Sequence, residues 1–468
     1  MFRLQIALAK LIGRLSRVSG RGAGTSMPGK LLLRLAPSAV SRLGRRLSRG
    51  SVLVSATNGK TTTAGMIARV LEQGGIEVVH NRTGANMPSG VATALLEQTS
   101  ARARDPRLGL FEVDEAWVEP LVGQLSPGTI VFGNLFRDQL DRYGELEKLA
   151  DGWAALVERR SGSTRFVLNA DDPLVADLGR DAAGAVRPGV VYFGVDDTSQ
   201  SLPEQDHAFD AKHCRRCGAA YRYSAVYLGH LGVYECPRCG NARPEPAVVA
   251  ERIELHGMDG SHLKIRSQQE AVDVSLPLPG LYNVYNALAA TACCIELGIE
   301  LGRIAEGLES FAAVFGRAER LQAGPRPLSI LLVKNPAGAN EVFRTLVATA
   351  REREGDGALD LLIALNDGIA DGRDISWIWD ADFEILTAHS GHVTCTGSRA
   401  EELALRLKYA GVPAERIDVV RGLSAAFDHS LGSDGSRPLY ALPTYTALLE
   451  LRELVAERGF AHRYWENA

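Results

Sequence analysis

The sequence predicts an α/β protein in two units, each built on a mostly parallel sheet, with a small ribbon inserted in the first. Three observations predict it. Short apolar runs such as Val52-Leu53-Val54, Thr129-Ile130-Val131-Phe132 and Phe166-Val167-Leu168 repeatedly end in polar residues and alternate with helix-forming stretches. That is the pattern of parallel strands whose carboxyl ends form a ligand edge. A polar glycine turn, Thr57-Asn58-Gly59-Lys60-Thr61-Thr62-Thr63, directly follows the first of these runs. Two Cys-x-x-Cys-Gly turns stand between strand-like segments further on.

At 468 residues the chain is long for one core,. Its 46% hydrophobic and 23% charged content is that of a globular protein,. A net charge of −4 argues against a polyanion binder as a whole, so no nucleic-acid partner is expected. The charge is uneven, however. Residues 1–50 hold eleven Lys or Arg and no Asp or Glu, and the first acid is Glu72. Leu4, Leu8, Leu11, Ile12 and Leu15 recur there at helical spacing among basic residues. Such a helix fits an anionic membrane surface or a docking helix with a solvated basic face, and both readings stay open. Lys10 and Arg14 interrupt any signal-peptide core, and no run of about eighteen apolar residues suggests a transmembrane span,. The expected location is cytoplasmic, at the inner face of the membrane.

The turn after Val52–Val54 has the context of a phosphate-binding loop: buried strand, glycine, then the helical run Met66–Leu71,. Gly59 lets backbone pass close to phosphate oxygens, and the N–H groups of the helix start point at them. Lys60 supplies the charge on the outer phosphates, and the Thr61 hydroxyl is a Mg²⁺ ligand. The expected nucleoside-triphosphate contacts are Thr57, Asn58, Gly59, Lys60, Thr61 and Thr62.

After Val78-Val79 and the turn Asn81–Asn86 comes Leu108–Glu115, an apolar strand ending in Glu112, Asp114 and Glu115. A carboxylate at the end of a strand beside the phosphate-loop strand suits a second Mg²⁺ ligand, and Glu112 is the first choice. Two more strands end in Gly133-Asn134 and in Asn169-Ala170-Asp171-Asp172. The chain then reaches Cys214-Arg-Arg-Cys217-Gly and Cys236-Pro-Arg-Cys239-Gly, eighteen residues apart. Two such knuckles aim Cys214, Cys217, Cys236 and Cys239 at one tetrahedral Zn²⁺ site. Four sulfurs leave no place for a catalytic water, so the zinc is structural. Tyr221–Tyr223 and Val233-Tyr234 read as ribbon strands; Cys293, Cys294 and Cys395 read as core residues.

A helix over Tyr282–Leu297 follows Leu276–Gly280, and Pro325 and Pro327 suggest a linker. Strands over Leu328–Val333, Leu359–Leu365, Phe383–Leu386, His392–Thr396 and Ile417–Val420 then alternate with helical runs. The expected organisation is a basic N-terminal segment (1–50), an ATP-binding unit (51–322) with the ribbon at about 205–245, and a C-terminal α/β unit (323–468).

Several motifs together resemble the Mur ligase superfamily. They are Thr57–Thr63, Phe111–Glu115, Asn134 with Asp138–Gly144, Pro279–Ala287 and Phe315–Arg320. The resemblance implies a Mur-type central ATPase and a Rossmann-like C-terminal domain. It also implies that Asn283 or Asn286 reads adenine and that Arg317 reaches ribose or phosphate. There are departures. Val54 and Ala56 stand where the long and short phosphate-loop patterns have glycine, and Leu332–Gly338 carries Lys334 where the family's segment has His. The family's uridine-nucleotide domain is expected to be missing. With the ribbon and the segment Asn366–Asp380, these features narrow the resemblance to the amidating branch, the synthetase subunits of lipid II isoglutaminyl synthases. That branch implies ATP-dependent amidation of the D-glutamate α-carboxylate of the lipid II stem peptide. An acyl phosphate is the intermediate, and the ammonia comes from a GatD-like glutaminase subunit in a heterodimer. A C-terminal aspartate would orient the partner's His: Asp374 first, then Asp371 and Asp380. The alternative is a stand-alone Mur- or folylpolyglutamate-type amino-acid ligase.

Overall fold

A computed structural model describes residues 2–18, 26–81, 85–99, 105–138, 146–203, 209–312, 317–353, 357–432 and 437–461. The basic segment forms helices α1 (Phe2–Val18), α2 (Met27–Leu35) and α3 (Ala39–Gly44). Strand β1 (Ser51–Ser55) leads through the glycine turn into α4 (Lys60–Gln73). Then come β2 (Val78–His80), α5 (Pro88–Gln98), β3 (Leu108–Glu112), β4 (Thr129–Phe132), β5 (Arg165–Asn169) and β6 (Val190–Val195). A separate hairpin, β7 (Arg222–Leu228) and β8 (Leu231–Glu235), is the ribbon. Three antiparallel strands, β9 (Val248–Leu255), β10 (Ser261–Ser267) and β11 (Glu270–Leu276), extend the sheet.

The nine strands run in the order β11-β10-β9-β6-β5-β4-β1-β3-β2. From β6 to β2 all neighbours are parallel. Period-two alternation sorts β1 onto two faces: Val52 and Val54 join one buried cluster with α4 and the helix Leu281–Glu296, and Leu53 joins the other with α2, α3 and α5. A sheet covered on both sides explains why its strands read as unbroken apolar runs.

A second sheet has the order β12-β13-β17-β14-β15-β16. It is made of β12 (Arg317–Ala323), β13 (Arg326–Leu331), β14 (Leu359–Ala364), β15 (Ser390–Thr396), β16 (Ile417–Val419) and β17 (Leu439–Pro443). Apart from the antiparallel β12–β13 hairpin, its pairs are parallel.

Two expectations need correction. Gly324-Pro325 turns the β12–β13 hairpin rather than forming a linker, since the strands on both sides pair in register. Phe383–Leu386 is part of a 3₁₀ turn, Phe383–His389, not a strand. The buried Phe383 and Leu386 lie three residues apart, one 3₁₀ repeat,. A reciprocal amide–carboxylate pair fixes the turn's start: Asn340 Nδ2 donates to Asp382 Oδ2 at 2.9 Å, and Asp382 N donates to Asn340 Oδ1 at 2.8 Å.

Candidate active site

The site forms where β1 sits between β3 and β4, so the carboxyl ends of three parallel strands meet the start of α4. Gly59 takes φ = 87°, a left-handed conformation, and a Cβ there would lie 1.9 Å from Asn286 Oδ1. Glycine is therefore required by both backbone and space. Beyond it, Lys60, Thr61, Thr62 and Thr63 open α4 and are all buried.

The Lys60 ammonium lies 2.8 Å from Glu115 Oε2. Burial alone would lower its pKa, but Glu115, with Asp114 and Glu112 behind it, raises it above the ordinary lysine value. Burial opposes charge on Glu115 as well, and Lys60 followed by Lys334 pulls its carboxyl below the usual range. Both groups are thus held ionised. Beside them the Thr61 hydroxyl donates to Glu112 Oε2 at 2.7 Å. A hydroxyl and a carboxylate oxygen this close are the hard donors a Mg²⁺ ion takes.

Asparagines fix the surrounding backbone. Asn81 clips the end of β3, accepting from Glu112 N at 3.0 Å and donating to Glu112 O at 2.8 Å. Asn134, after β4, accepts from Asn58 N at 2.9 Å and donates to Asn58 O at 3.0 Å. The Thr57 hydroxyl accepts from Phe136 N at 3.1 Å.

The second unit closes onto this loop. Lys334, just beyond β13, donates to Thr57 O at 3.2 Å and pairs with Asp138. Asn335 Nδ2 donates to Asn58 Oδ1 at 2.9 Å, and its Oδ1 accepts from Gly338 N at the start of the helix Pro336–Glu352. Arg137 reaches both Asp210 and Asp380, the latter at 3.3 Å.

Thr57 to Thr62, Lys60 and Glu112 therefore share one site. Asn283 and Asn286 stand on the buried face of the helix Leu281–Glu296. Asn286 Oδ1 accepts from Thr63 Oγ1 at 3.2 Å, and its Nδ2 donates to Asn283 Oδ1 at 3.0 Å. Both lie under the loop, with a small cavity between Asn286, Tyr285 and Asn134. Arg317 opens β12 opposite Leu331, but its side chain lies outside the described residues, as do Gln139–Gly144 of the Asp138–Gly144 motif.

The three C-terminal aspartates differ. Asp371 is buried: it accepts from Thr446 N at 2.7 Å and Thr446 Oγ1 at 2.6 Å, and so ties its loop to the start of the helix Tyr445–Glu457. Asp380 pairs with Arg137 of the first unit. Asp374 is exposed; its Oδ1 accepts from Ser376 N at 2.8 Å, which holds its carboxyl below the usual range.

The four ribbon cysteines have their sulfurs within 4.8 Å of one another. Cys214–Cys239 and Cys217–Cys236 stand at 3.6 and 3.4 Å, near the ~3.8 Å edge of a tetrahedron with ~2.3 Å Zn–S bonds. Gly218 and Gly240 have φ of 73° and 72°, as each knuckle turn demands. The residues fit a structural zinc.

The ribbon also touches the phosphate-loop wall. His230, fully buried, lies 3.3 Å from Asp172 Oδ1 and packs its ring on Phe136 at 4.7 Å. Asp172 Oδ2 in turn accepts from Leu135 N at 2.8 Å. Asp171, next to it, binds Tyr285 OH at 2.7 Å and Arg243 at 2.6 Å.

Sequence reasoning missed Glu115 as the partner of Lys60, although the run of three carboxylates was the signal. It also missed Lys334 and Asn335 as members of the site, and the His230–Asp172 brace.

Three comparisons place the chain among known proteins. The Mur ligase middle domain profile matches residues 54–223, and the MurT ligase C-terminal profile matches residues 332–448. Over 450 residues the chain is 32% identical to the lipid II isoglutaminyl synthase (glutamine-hydrolyzing) subunit MurT of Staphylococcus aureus, covering 96% of each. The subunit of the same name from Streptococcus pneumoniae is 31% identical over 463 residues, 98% of this chain and 99% of that one. Among solved structures, a pseudomurein peptide ligase type C from Methanothermus fervidus aligns with a TM-score of 0.66 at 23% identity, over 89% of this chain and 80% of that one. MurF from Acinetobacter baumannii aligns with a TM-score of 0.61 at 16% identity, over 91% and 80%. These two structures speak for the Mur ligase fold.

Proposed function

The chain belongs to the MurT family of Mur-type ligase subunits, and we propose that it amidates the D-glutamate α-carboxylate of the lipid II stem peptide, giving D-isoglutamine. ATP activates the carboxylate as an acyl phosphate. Ammonia released by a GatD-like glutaminase subunit then displaces the phosphate. A carboxylate is a poor electrophile until it carries a leaving group, and transfer between two anions needs fixed cations and donors. The observation that carries the reading is the closure of Lys334 and Asn335 onto the phosphate loop, which brings a second cation to the Lys60 site.

Lys60 holds the outer phosphates, and the N–H groups at the start of α4 donate to them. Mg²⁺, held by Thr61 and Glu112, would neutralise phosphate charge. Asn283 and Asn286 are assigned to adenine and Arg317 to ribose or phosphate, by resemblance. Lys334 steadies the phosphate loop through Thr57 O. Asp374 is assigned the glutaminase contact: it is the exposed member of its trio, whereas Asp371 is internally bound and Asp380 is engaged by Arg137. There it would orient the partner's His, completing a Cys-His-Asp arrangement. Zinc held by Cys214, Cys217, Cys236 and Cys239 would be structural, since four sulfurs leave no site for a reacting water,. The site of action is the inner face of the cytoplasmic membrane, where a lipid-linked acceptor is presented.

The test is amidation of lipid II by the purified protein with its glutaminase partner, ATP and glutamine, read by mass as exchange of a hydroxyl for an amine. Product that requires all four components supports the proposal. ATP hydrolysis stimulated by a free amino acid, with no amide formed, would overturn it in favour of a stand-alone amino-acid ligase.

A further inference from the structure

Helix α1 is built inside out for a helix whose only task is to dock on the protein. Among the described side chains its inward positions are Phe2, Ile6, Ala9 and Gly13: Ile6 packs against the core, Ala9 is fully buried, and a Cβ on Gly13 would lie 2.8 Å from Pro28 Cγ. Phe2 is buried and lies under the Arg42 guanidinium at 3.7 Å. Three of its leucines point away. Leu4, Leu8 and Leu11 are 76%, 45% and 54% exposed. Spaced four and then three residues apart, they form one continuous stripe. Gln5 Nε2 donates to Leu35 O at 2.6 Å, and Gly13 rests on Pro28, so α1 lies along α2 with this stripe outward. Scattered exposed leucines need no explanation, but three in register on one helix do.

The charge of the segment that carries the stripe says what covers it. Eleven of the chain's 52 Lys and Arg fall in residues 1–50, and none of its 56 acids do. A leucine stripe in an acid-free, cation-rich segment complements a surface that is apolar within and anionic at its rim. We propose that the outer face of α1 is a docking site for an anionic lipid bilayer. The helix lies in the headgroup plane with Leu4, Leu8 and Leu11 inserted; among the described residues no helix is long and apolar enough to cross. The proposal deepens the amidation reading, on which its purpose rests: the docked helix delivers the catalytic unit to a lipid-linked acceptor.

The experiment is co-sedimentation of the full chain with phosphatidylglycerol–phosphatidylcholine vesicles and with pure phosphatidylcholine vesicles, neither containing lipid II. The expected result is binding to the anionic vesicles at least about tenfold above the neutral ones, falling about tenfold or more in Leu4→Gln/Leu8→Gln/Leu11→Gln. The variant keeps its melting temperature and its amidation of a water-soluble stem-peptide substrate. In a second variant, Leu8→Trp, emission shifts to the blue on anionic vesicles. A wild-type chain that ignores anionic vesicles, or a triple variant that binds them equally, overturns the proposal. So does a self-association by sedimentation velocity that the triple variant abolishes while vesicles go unbound, which would assign the stripe to a second copy. Vesicle binding without amidation would leave docking standing and remove the ligase reading; the converse would do the reverse.

Discussion

The carboxyl edges of the two sheets carry polar residues in opposite ways. At the edge of the nine-stranded sheet, Lys60, Thr61, Glu112, Asp114 and Glu115 are all under a tenth exposed and converge on one loop. At the edge of the six-stranded sheet, Asp371 is buried, but the segment then surfaces, with Arg373 and Asp374 exposed and Trp379 49% exposed. The first arrangement fixes charges in a water-poor pocket, where they act strongly on developing charge. The second presents a carboxylate on a braced loop, as a group meant for another molecule would be. On the proposed reading, one edge serves chemistry within the chain and the other contact beyond it.

Removing the central cation tests the first edge most severely. Lys60→Ala is expected to lower kcat for ATP-dependent amidation by roughly 10³-fold, ~4 kcal/mol. It also leaves Glu115 buried without its ammonium, which destabilises the fold. The double variant Lys60→Met/Glu115→Gln removes both charges and separates the two effects: it should fold well and remain inactive. Steady-state rates within tenfold of wild type in either variant would contradict the role given to Lys60.

The second edge should fail differently. Asp374→Ala is expected to cost roughly 10²-fold in glutamine-dependent amidation, while amidation driven by added ammonium chloride stays at the wild-type rate. Asp371→Ala supplies the contrast. It unties Thr446, so it should lower stability by about 1–3 kcal/mol and depress both reactions alike. Equal loss from both nitrogen sources in Asp374→Ala would argue that this carboxylate serves the chain rather than a partner.

The Cys₄ ribbon links to the first edge through His230 and Asp172, which hold the loop carrying Asn134 and Phe136. Cys236→Ser is expected to drop zinc content from about one per chain to near none, measured by metal analysis. As the brace loosens, the KM for ATP should rise about tenfold, ~1.4 kcal/mol, with kcat little changed. Unchanged KM in a folded, zinc-free variant would make the ribbon an independent module.

The two edges were also unequally legible in the sequence. The phosphate loop is contiguous: strand, glycine, lysine and threonine follow one another, so local chemistry alone marks it. The knuckles are legible for the same reason. What closes the loop is not local. Asn335 meets Asn58 across 277 residues, and Lys334 reads in sequence only as a departure from a family segment. Glu115 stood in a noticed run of acids, but nothing in the spacing says which of three carboxylates faces the lysine. Phe383–Leu386 has strand-like apolar content, and the contacts that hold it as a 3₁₀ turn come from distant residues, Asn340 on Asp382 and Arg406 on Glu384 among them. Pairings set by tertiary approach carry no sequence period, which is why they escape.

The smallest expected effect probes the buried pair by pH. The Glu115 carboxyl is lowered in the folded chain: burial pushes it up, but Lys60 and then Lys334 outweigh this. A carboxyl lowered on folding contributes stability that is fully present above its unfolded value, about 4.3, and is lost as pH falls through the folded value. The raised Lys60 pKa works at the other end, with its share intact below the ordinary lysine value and lost as pH rises through the folded one. Between these limits the pair is constant. Urea unfolding from pH 6 downward should therefore show wild type losing stability more steeply than Glu115→Gln once the pH passes below about 4.3, by up to ~1.4 kcal/mol per pH unit. The two curves should run parallel between pH 6 and pH 8. A difference in slope confined to that neutral window, or none in acid, would mean that Glu115 is not held ionised against Lys60. The dry, paired character assigned to the first edge would then fail with it.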